Sequence, residues 1–184
     1  VQTCALPICG RYAADINFPH QLHMRLVRSN HAHGRIIRID TTKAKVLPGV
    51  AAVWTNEEVD SLGPVDFRAD RGSEILKPYR QPVLAKGRVR YVGDPVAAVF
   101  AEDPYIAEDA ADLVEIEVED LPPYLDASAP PGEFDKGLSA EGALLTHTFG
   151  DVEAAFKKAH TVIELDLWTG RHSGVPMETR GAIG

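Results

Sequence analysis

The sequence contains few cysteines and no long apolar run. Its two cysteines, Cys4 and Cys9, both lie within the first nine of 184 residues, so the rest of the chain has no thiol for a disulfide or a cysteine-ligated cluster. No stretch of about eighteen apolar residues occurs, and no membrane span is therefore expected. The formal net charge of -8 disfavours nucleic acid as a partner, because binding to phosphates requires a basic surface.

The first residues differ from everything that follows them. VQTCALPI resembles the in-frame translation of a common sequencing adapter, so we predict that residues 1–9 are an artefact foreign to the domain. A short N-terminal arm is the alternative. No basic region precedes an apolar core at this end, and the pattern therefore does not indicate a signal peptide.

From Gly10 onward, predicted strands alternate with predicted helices. In QLHMRLVRS, the residues Leu22, Met24 and Leu26 recur at period two, which is typical of a half-buried strand. The run VAAVFA is continuously apolar, which predicts a strand covered on both faces. Further strands are predicted in GRIIRID, VAAVWT and VEIEVED, the last with Val114, Ile116 and Val118 facing inward.

Capping residues mark the predicted helices. Asn56 is predicted to cap EEVDSL, and Asp103 to cap a helix whose first residue is Pro104. The apolar residues of that second helix recur at helical spacing, which predicts a buried face made of Ile106, Ala107, Ala110, Ala111 and Leu113. Together the elements predict one compact α+β domain over residues 10–127.

The composition changes after this domain. Residues 128–142 are rich in proline, glycine and serine, which predicts a linker. Beyond them, DVEAAFKKA predicts a short helix and HTVIELDLW an alternating strand. We expect residues 143–184 to be the truncated start of a second domain.

No complete catalytic motif is evident in the chain. His31 and His33 lie two residues apart, which suits a pair of metal ligands, but no third ligand is apparent and a structural turn is favoured. The VGDP stretch, residues 92–95, lacks the glycine pattern of a phosphate-binding loop. Ser173 lacks the preceding glycine of a nucleophile elbow.

Three long stretches nevertheless follow one another in a characteristic order. They are GRYAADINFPHQLHMRLVRSNHAHGRIIRIDTTKAKVLPGVAAVWT, PVLAKGRVRYVGDPVAAVFAED and AEDAADLVEIEVEDLPPYLD. Together they resemble the α/β hammerhead domain of the molybdenum-cofactor-binding large subunit in the xanthine dehydrogenase and aldehyde oxidase family, from about Gly10 to Asp126. The later stretch RHSGVPME is similar to the carbon-monoxide-dehydrogenase-like branch. The resemblance implies an N-terminal fragment in which residues 143–184 begin the molybdopterin-binding domain.

The resemblance also points to candidate site residues. In the family, a glutamine in this later stretch commonly forms a hydrogen bond to an oxygen ligand of molybdenum, and here Gly170, Arg171 or His172 stands at that position. These three residues are the expected cofactor-binding residues. Arg171 and Arg180 are candidates for contact with cofactor phosphate, although a surface ion pair is the favoured interpretation. Glu178 is expected to be a buried structural acid.

The catalytic glutamate and the glycine-rich loop of the family are expected beyond the end of this chain. We therefore expect neither a catalytic residue nor a metal ligand within the chain, and no activity from the fragment alone.

The activity implied by the resemblance is oxidation of a small molecule with water as the source of oxygen. The substrate would be an aldehyde, an N-heterocycle or carbon monoxide, and the cofactor molybdenum–molybdopterin in its cytosine dinucleotide form. Electrons would pass to an iron–sulfur small subunit and an FAD-binding medium subunit, in a cytoplasmic enzyme. Two alternatives stay open, namely a non-catalytic hammerhead module that binds partner subunits and a metal hydrolase built on His31 and His33.

Overall fold

The computed structural model describes residues 12–65, 74–144, 146–170, 172–176 and 180–184. The segment 1–9, Arg171 and Glu178 lie outside the described residues. The chain divides into two compact units: residues 20–144 form the larger one, and the described residues before and after this range form the other. No helix within these ranges is both long and apolar enough to cross a membrane.

The elements confirm the predicted α+β class. Short 3-10 helices occupy Ala13–Asp15, Asp60–Leu62 and Glu74–Tyr79. The strands and α-helices are, in chain order, β1 (His23–Arg28), β2 (Gly34–Asp40), α1 (Thr42–Lys45), β3 (Val50–Trp54), α2 (Asn56–Val59), β4 (Arg88–Val89), β5 (Pro95–Ala101), α3 (Pro104–Asp112), β6 (Glu115–Asp120), β7 (Glu133–Asp135), β8 (Leu138–Ser139) and α4 (Val152–Lys158).

The strand β5 is the centre of the first sheet, which has the order β1–β5–β3 with both neighbours antiparallel to β5. Residues 96–99 are all buried. Ala97 and Val99 belong to the main hydrophobic cluster, whereas Ala98 on the opposite face packs with Val59 and Leu84. Both faces of β5 are therefore covered, as its continuously apolar sequence predicted.

The second sheet has the order β4–β2–β6, again antiparallel. Val114 is buried just before β6, and Ile116 and Val118 pack against the clusters as predicted. Gly34 in β2 allows close approach, because a Cβ atom at this position would lie 2.3 Å from the Val118 Cγ1 atom. Any larger residue at position 34 would force β2 and β6 apart.

The helix α3 begins where the sequence predicted. Asp103 is its N-cap, and the Asp103 Oδ1 atom accepts hydrogen bonds from the amides of Tyr105 at 2.8 Å and Ile106 at 3.4 Å. Pro104 occupies the first helical position, where a missing N–H costs nothing. The face of α3 that contacts β1 and β5 buries three small residues, Ala107, Ala110 and Ala111.

The helix α2 precedes α3 in the chain, and the prediction that Asn56 is its N-cap was wrong. The N-cap of α2 is Thr55. The amide of Thr55 donates to the Glu58 carboxylate at 2.6 Å, and the Thr55 hydroxyl accepts from the Glu57 amide. This reciprocal arrangement is a capping box, which satisfies two backbone donors at once. The side chain of Asn56 instead donates to the carbonyl of Leu84.

The half-buried strand predicted in QLHMRLVRS forms as β1, but its three period-two residues do not make up the buried face. Leu22 and Met24 are exposed, with 57% of Met24 accessible to solvent, and only Leu26 is half-buried. Val27, on the other face, packs against the main cluster because α3 lies on that side of the sheet. The apolar alternation in the sequence marks a strand correctly but does not tell which face the helix covers.

The predicted linker contains an antiparallel hairpin of β7 and β8. The ring of Phe134 in β7 lies 4.9 Å from the ring of Tyr79, measured between centroids, and the Tyr79 hydroxyl donates to the Ser139 carbonyl at 2.8 Å. These contacts attach the hairpin to the rest of the unit of residues 20–144, to which it belongs. The domain boundaries drawn from composition stay a prediction.

The last described part of the chain is mostly irregular. The helix α4 forms as predicted, with Asp151 as its N-cap. The strand predicted in HTVIELDLW does not form, and residues 161–170 pair with none of the sheets in the described chain. Its apolar side chains are exposed instead, among them Ile163 and Leu167.

Substitution of Val99 by aspartate should unfold the chain. Val99 is 0% exposed in the main cluster, so an unpaired carboxylate there costs at least about 4 kcal/mol. Circular dichroism should show loss of the cooperative thermal transition. The matched control is Val46→Asp, because Val46 is 76% exposed and a charge there remains in water. A Val99→Asp protein that melts like the wild type would contradict the core assignment.

Candidate functional site

The predicted cofactor-binding residues lie in the irregular segment after α4. Gly170 is half-buried, His172 is exposed and Arg171 is outside the described residues. The structure brings Gly170 and His172 together only locally, with the His172 Nδ1 atom 3.3 Å from the Gly170 carbonyl oxygen. The Trp168 ring, in the same segment, lies 3.5 Å from the position that a Cβ atom on Gly170 would take.

Large apolar side chains surround this pair and lie in water. Leu167 is 89% exposed and Trp168 is 90% exposed. In the same unit, an apolar groove of about 500 Å³ runs beside α4 and is lined by Phe149, Val152, Phe156 and Ile163, among others. Side chains of this size are normally buried against a partner surface. Residues 161–170, which lead into the predicted cofactor-binding residues and are called the predicted cofactor segment below, are therefore largely exposed in the described chain.

His31 and His33 are held by the end of β6. The His31 Nδ1 atom lies 2.7 Å from the Asp120 Oδ1 atom, and the His33 Nδ1 atom lies 3.0 Å from the Pro122 carbonyl oxygen. These contacts favour the structural turn. Among the described residues, no three His, Cys, Asp or Glu side chains are grouped so as to hold a metal ion.

The turn between β4 and β5 contains a buried carboxylate. Gly93 has φ +94°, a conformation that favours glycine, and its amide donates to the Ser29 carbonyl. Asp94 is only 5% exposed, and its Oδ2 atom accepts a hydrogen bond from the Arg90 amide at 3.0 Å. Burial raises the pKa of Asp94, while the hydrogen bond from the Arg90 amide opposes that rise. The VGDP stretch thus closes a turn and does not form a phosphate-binding loop.

Two arginines that the sequence analysis did not single out lie on one side of β4 and the residue after it. Arg88 and Arg90 are both half-buried, and both guanidinium groups donate to the Phe134 carbonyl oxygen, at 3.2 Å and 3.5 Å. The alternation Arg-Val-Arg in an extended segment was the available signal, because residues two apart share a face. Nothing in the sequence showed that the β7–β8 hairpin would lie above them.

The two small sheets and the helix packed on β5 define an α+β domain. The sequence profile described as "Aldehyde oxidase and xanthine dehydrogenase, a/b hammerhead domain" matches residues 9–122. The chain belongs to this family. The fold class and the family predicted from the sequence are both confirmed.

Individual relatives support the assignment. The chain is 47% identical over 178 residues to the 6-hydroxypseudooxynicotine dehydrogenase complex subunit gamma of Paenarthrobacter nicotinovorans. It is 39% identical over 181 residues to the nicotine 6-hydroxylase large subunit of the same organism. These alignments cover 94% and 95% of this chain but 22% of each relative.

A solved structure of the Cu,Mo-CO dehydrogenase is 35% identical, with a TM-score of 0.64 over 83% of this chain and 21% of that chain. The chain thus spans about a fifth of the length of the relatives that it matches.

Replacement of Asp94 by asparagine should change how stability depends on pH. Because the pKa of Asp94 is raised above its ordinary value of 3.8, the folded protein binds this proton more tightly than the unfolded chain does. The ionised carboxylate therefore opposes folding at neutral pH, and the penalty disappears as the pH falls through the raised pKa to below 3.8. The wild type should gain stability relative to Asp94→Asn over that window.

Urea unfolding of both proteins at pH 7 and at pH 4 measures the difference directly. A difference in unfolding free energy that stays constant, or that moves in favour of the variant at pH 4, would show that Asp94 is not a buried acid with a raised pKa.

Proposed function

We propose that this chain is part of the large subunit of a molybdenum hydroxylase. The observation that carries the proposal is the 47% identity to a subunit of a dehydrogenase complex, which extends across 94% of the chain and thus includes the predicted cofactor segment. In this proposal, residues 10–127 are the hammerhead scaffold, and residues 143–184 begin the domain that binds the cofactor. The complete enzyme is cytoplasmic.

An N-heterocycle is the favoured substrate class, ahead of an aldehyde or carbon monoxide. The two relatives from Paenarthrobacter nicotinovorans are named for nicotine and for a hydroxylated pseudooxynicotine. In the proposed reaction an aromatic C–H group and one water molecule give a C–OH group, two protons and two electrons. The electrons leave through an iron–sulfur small subunit and an FAD-binding medium subunit.

The donors of the exposed segment fit a cofactor that carries oxygen atoms and a phosphate-bearing pterin. The irregular backbone of residues 161–170 offers amides that no described sheet uses, and the His172 ring offers its N–H group once Nδ1 turns away from the Gly170 carbonyl. When bound, molybdenum–molybdopterin in its cytosine dinucleotide form supplies the centre that accepts two electrons from the substrate. In this proposal Gly170, Arg171 and His172 line the cofactor, while Arg171 and Arg180 provide charge for a phosphate.

The surface of the first sheet favours a second candidate function, in which the domain binds partner subunits without catalysis. Met24 and Trp54 are exposed on the face of the sheet opposite α3, beside Phe100, whose ring lies 4.6 Å from that of Trp54. A partly exposed surface with aromatic side chains is typical of a protein interface. The two functions differ in one measurable respect, which is whether the assembled protein contains molybdenum and turns over a substrate.

The test is made on the assembled enzyme with its full-length large subunit. Metal analysis should find molybdenum, and oxidation of an N-heterocycle in ¹⁸O-labelled water should place the label in the product. His172→Ala should lower kcat about tenfold, because a hydrogen bond to a charged group is worth about 1.5 kcal/mol. KM should change little, since the imidazole is proposed to contact the cofactor and not the substrate.

His160→Ala is the matched control, because His160 lies in the same unit, is exposed and contacts only the neighbouring Thr161 hydroxyl in the described structure. This variant should keep the wild-type kcat. An assembled protein without molybdenum would overturn the hydroxylase proposal and favour the partner-binding function. Wild-type kinetics in His172→Ala would remove the cofactor role of that residue alone.

A further inference from the structure

A cavity of about 160 Å³ lies between the end of the 3-10 helix Glu74–Tyr79, the strand β4 and the β7–β8 hairpin. Its volume corresponds to roughly five water molecules. Four cationic side chains line it, whereas Asp94 is its only acidic lining residue among the described residues: the cations are Arg80, Lys86, Arg88 and Arg90. Among these cations, Arg88 and Arg90 carry the argument that follows, because Lys86 is already paired with Asp60.

The charges of Arg88 and Arg90 are not neutralised by a direct ion pair. Within the described ranges, no carboxylate lies within 4.0 Å of either guanidinium group, although Lys86 is paired with Asp60 at 2.7 Å. The Asp94 carboxylate accepts from the Arg90 backbone amide and not from its guanidinium group. Two partly buried positive charges thus lie side by side.

The hairpin brings these two guanidinium groups together. Both donate to one carbonyl oxygen, that of Phe134, and the Phe134 ring lies 4.0 Å beneath the Arg90 Cζ atom. Burial lowers the pKa of Arg90, and the neighbouring Arg88 lowers it further, while Asp135 and Asp94 act in the opposite direction. Each guanidinium group has five N–H donors, and the carbonyl uses one from each.

We propose that this cavity binds a phosphate dianion between Arg88 and Arg90. Guanidinium groups bind phosphate oxygens through paired N–H donors, and a double negative charge matches the two unpaired cations better than a single carboxylate does. The ligand is either free hydrogen phosphate or the phosphate group of a small molecule. The site lies wholly within residues 20–144 and does not depend on the proposed hydroxylase activity.

The test uses the full 184-residue chain in calorimetric titrations at constant ionic strength and pH 7.5. Inorganic phosphate should bind at one saturable site. Arg88→Gln and Arg90→Gln should each weaken binding about tenfold, because each removes charge-assisted hydrogen bonds worth about that factor. Arg88→Lys, which keeps the charge and loses the forked donors, should lie between the wild type and Arg88→Gln.

Arg25→Gln is the matched control, because Arg25 is an exposed arginine that is paired with Glu108 and does not line the cavity. It should bind phosphate like the wild type. Thermal melting without phosphate shows whether each variant folds. If loss of the charge in Arg88→Gln disturbs the hairpin, Arg88→Lys still tests the site, because it keeps the charge and removes only the forked donors.

Two further titrants distinguish the sources of the ligand. Tighter binding of glycerol 3-phosphate than of inorganic phosphate would identify a phosphomonoester as the ligand, and the reverse order would identify the free ion; either result supports the site. Binding of acetate as tight as that of phosphate would overturn the proposal, because the cavity would then accept a carboxylate. Absence of saturable phosphate binding, or equal binding by the wild type and both glutamine variants, would overturn it as well.

Discussion

The burial of β5 on both faces is the constraint on which the rest of the larger unit depends. Residues 96–99 are small or β-branched, which allows the helices and turns of both sides to approach the strand closely. Ala97 and Val99 support α3 and the main cluster, Ala98 supports α2, and Val96 contacts the second sheet. A larger or charged residue at any of these positions would disturb several elements at once.

Patterns that depend on local chemistry were predictable from the sequence. The cap of α3 follows from residues within a few positions of one another, and the alternation in β6 follows from the two-residue period of a strand. Features that depend on distant partners were not predictable. The exposed face of β1 and the missing strand in residues 161–170 both depend on which other segment lies alongside, and period-two alternation does not contain that information.

The candidate sites also differ in whether local residues or distant partners determine them. Gly170, Arg171 and His172 were identified only through resemblance to a family, and in the structure the described pair makes contacts within its own segment. The cavity at Arg88 and Arg90 was not foreseen, because its formation requires the hairpin at Phe134, about forty-five residues further along the chain. The lining residues come from the stretch 79–94 and from Phe134, so a local pattern could not reveal the cavity.

Hydrogen exchange of backbone amides in the 184-residue chain tests the central claim most directly, namely that the hammerhead unit folds around β5 independently of the predicted cofactor segment. The account predicts that the amides of residues 96–101 exchange slowest, at the rate of global unfolding, and that those of residues 161–170 exchange without protection. Protection of residues 161–170 equal to that of β5 would contradict the account, because it would place the cofactor segment within the same cooperative core.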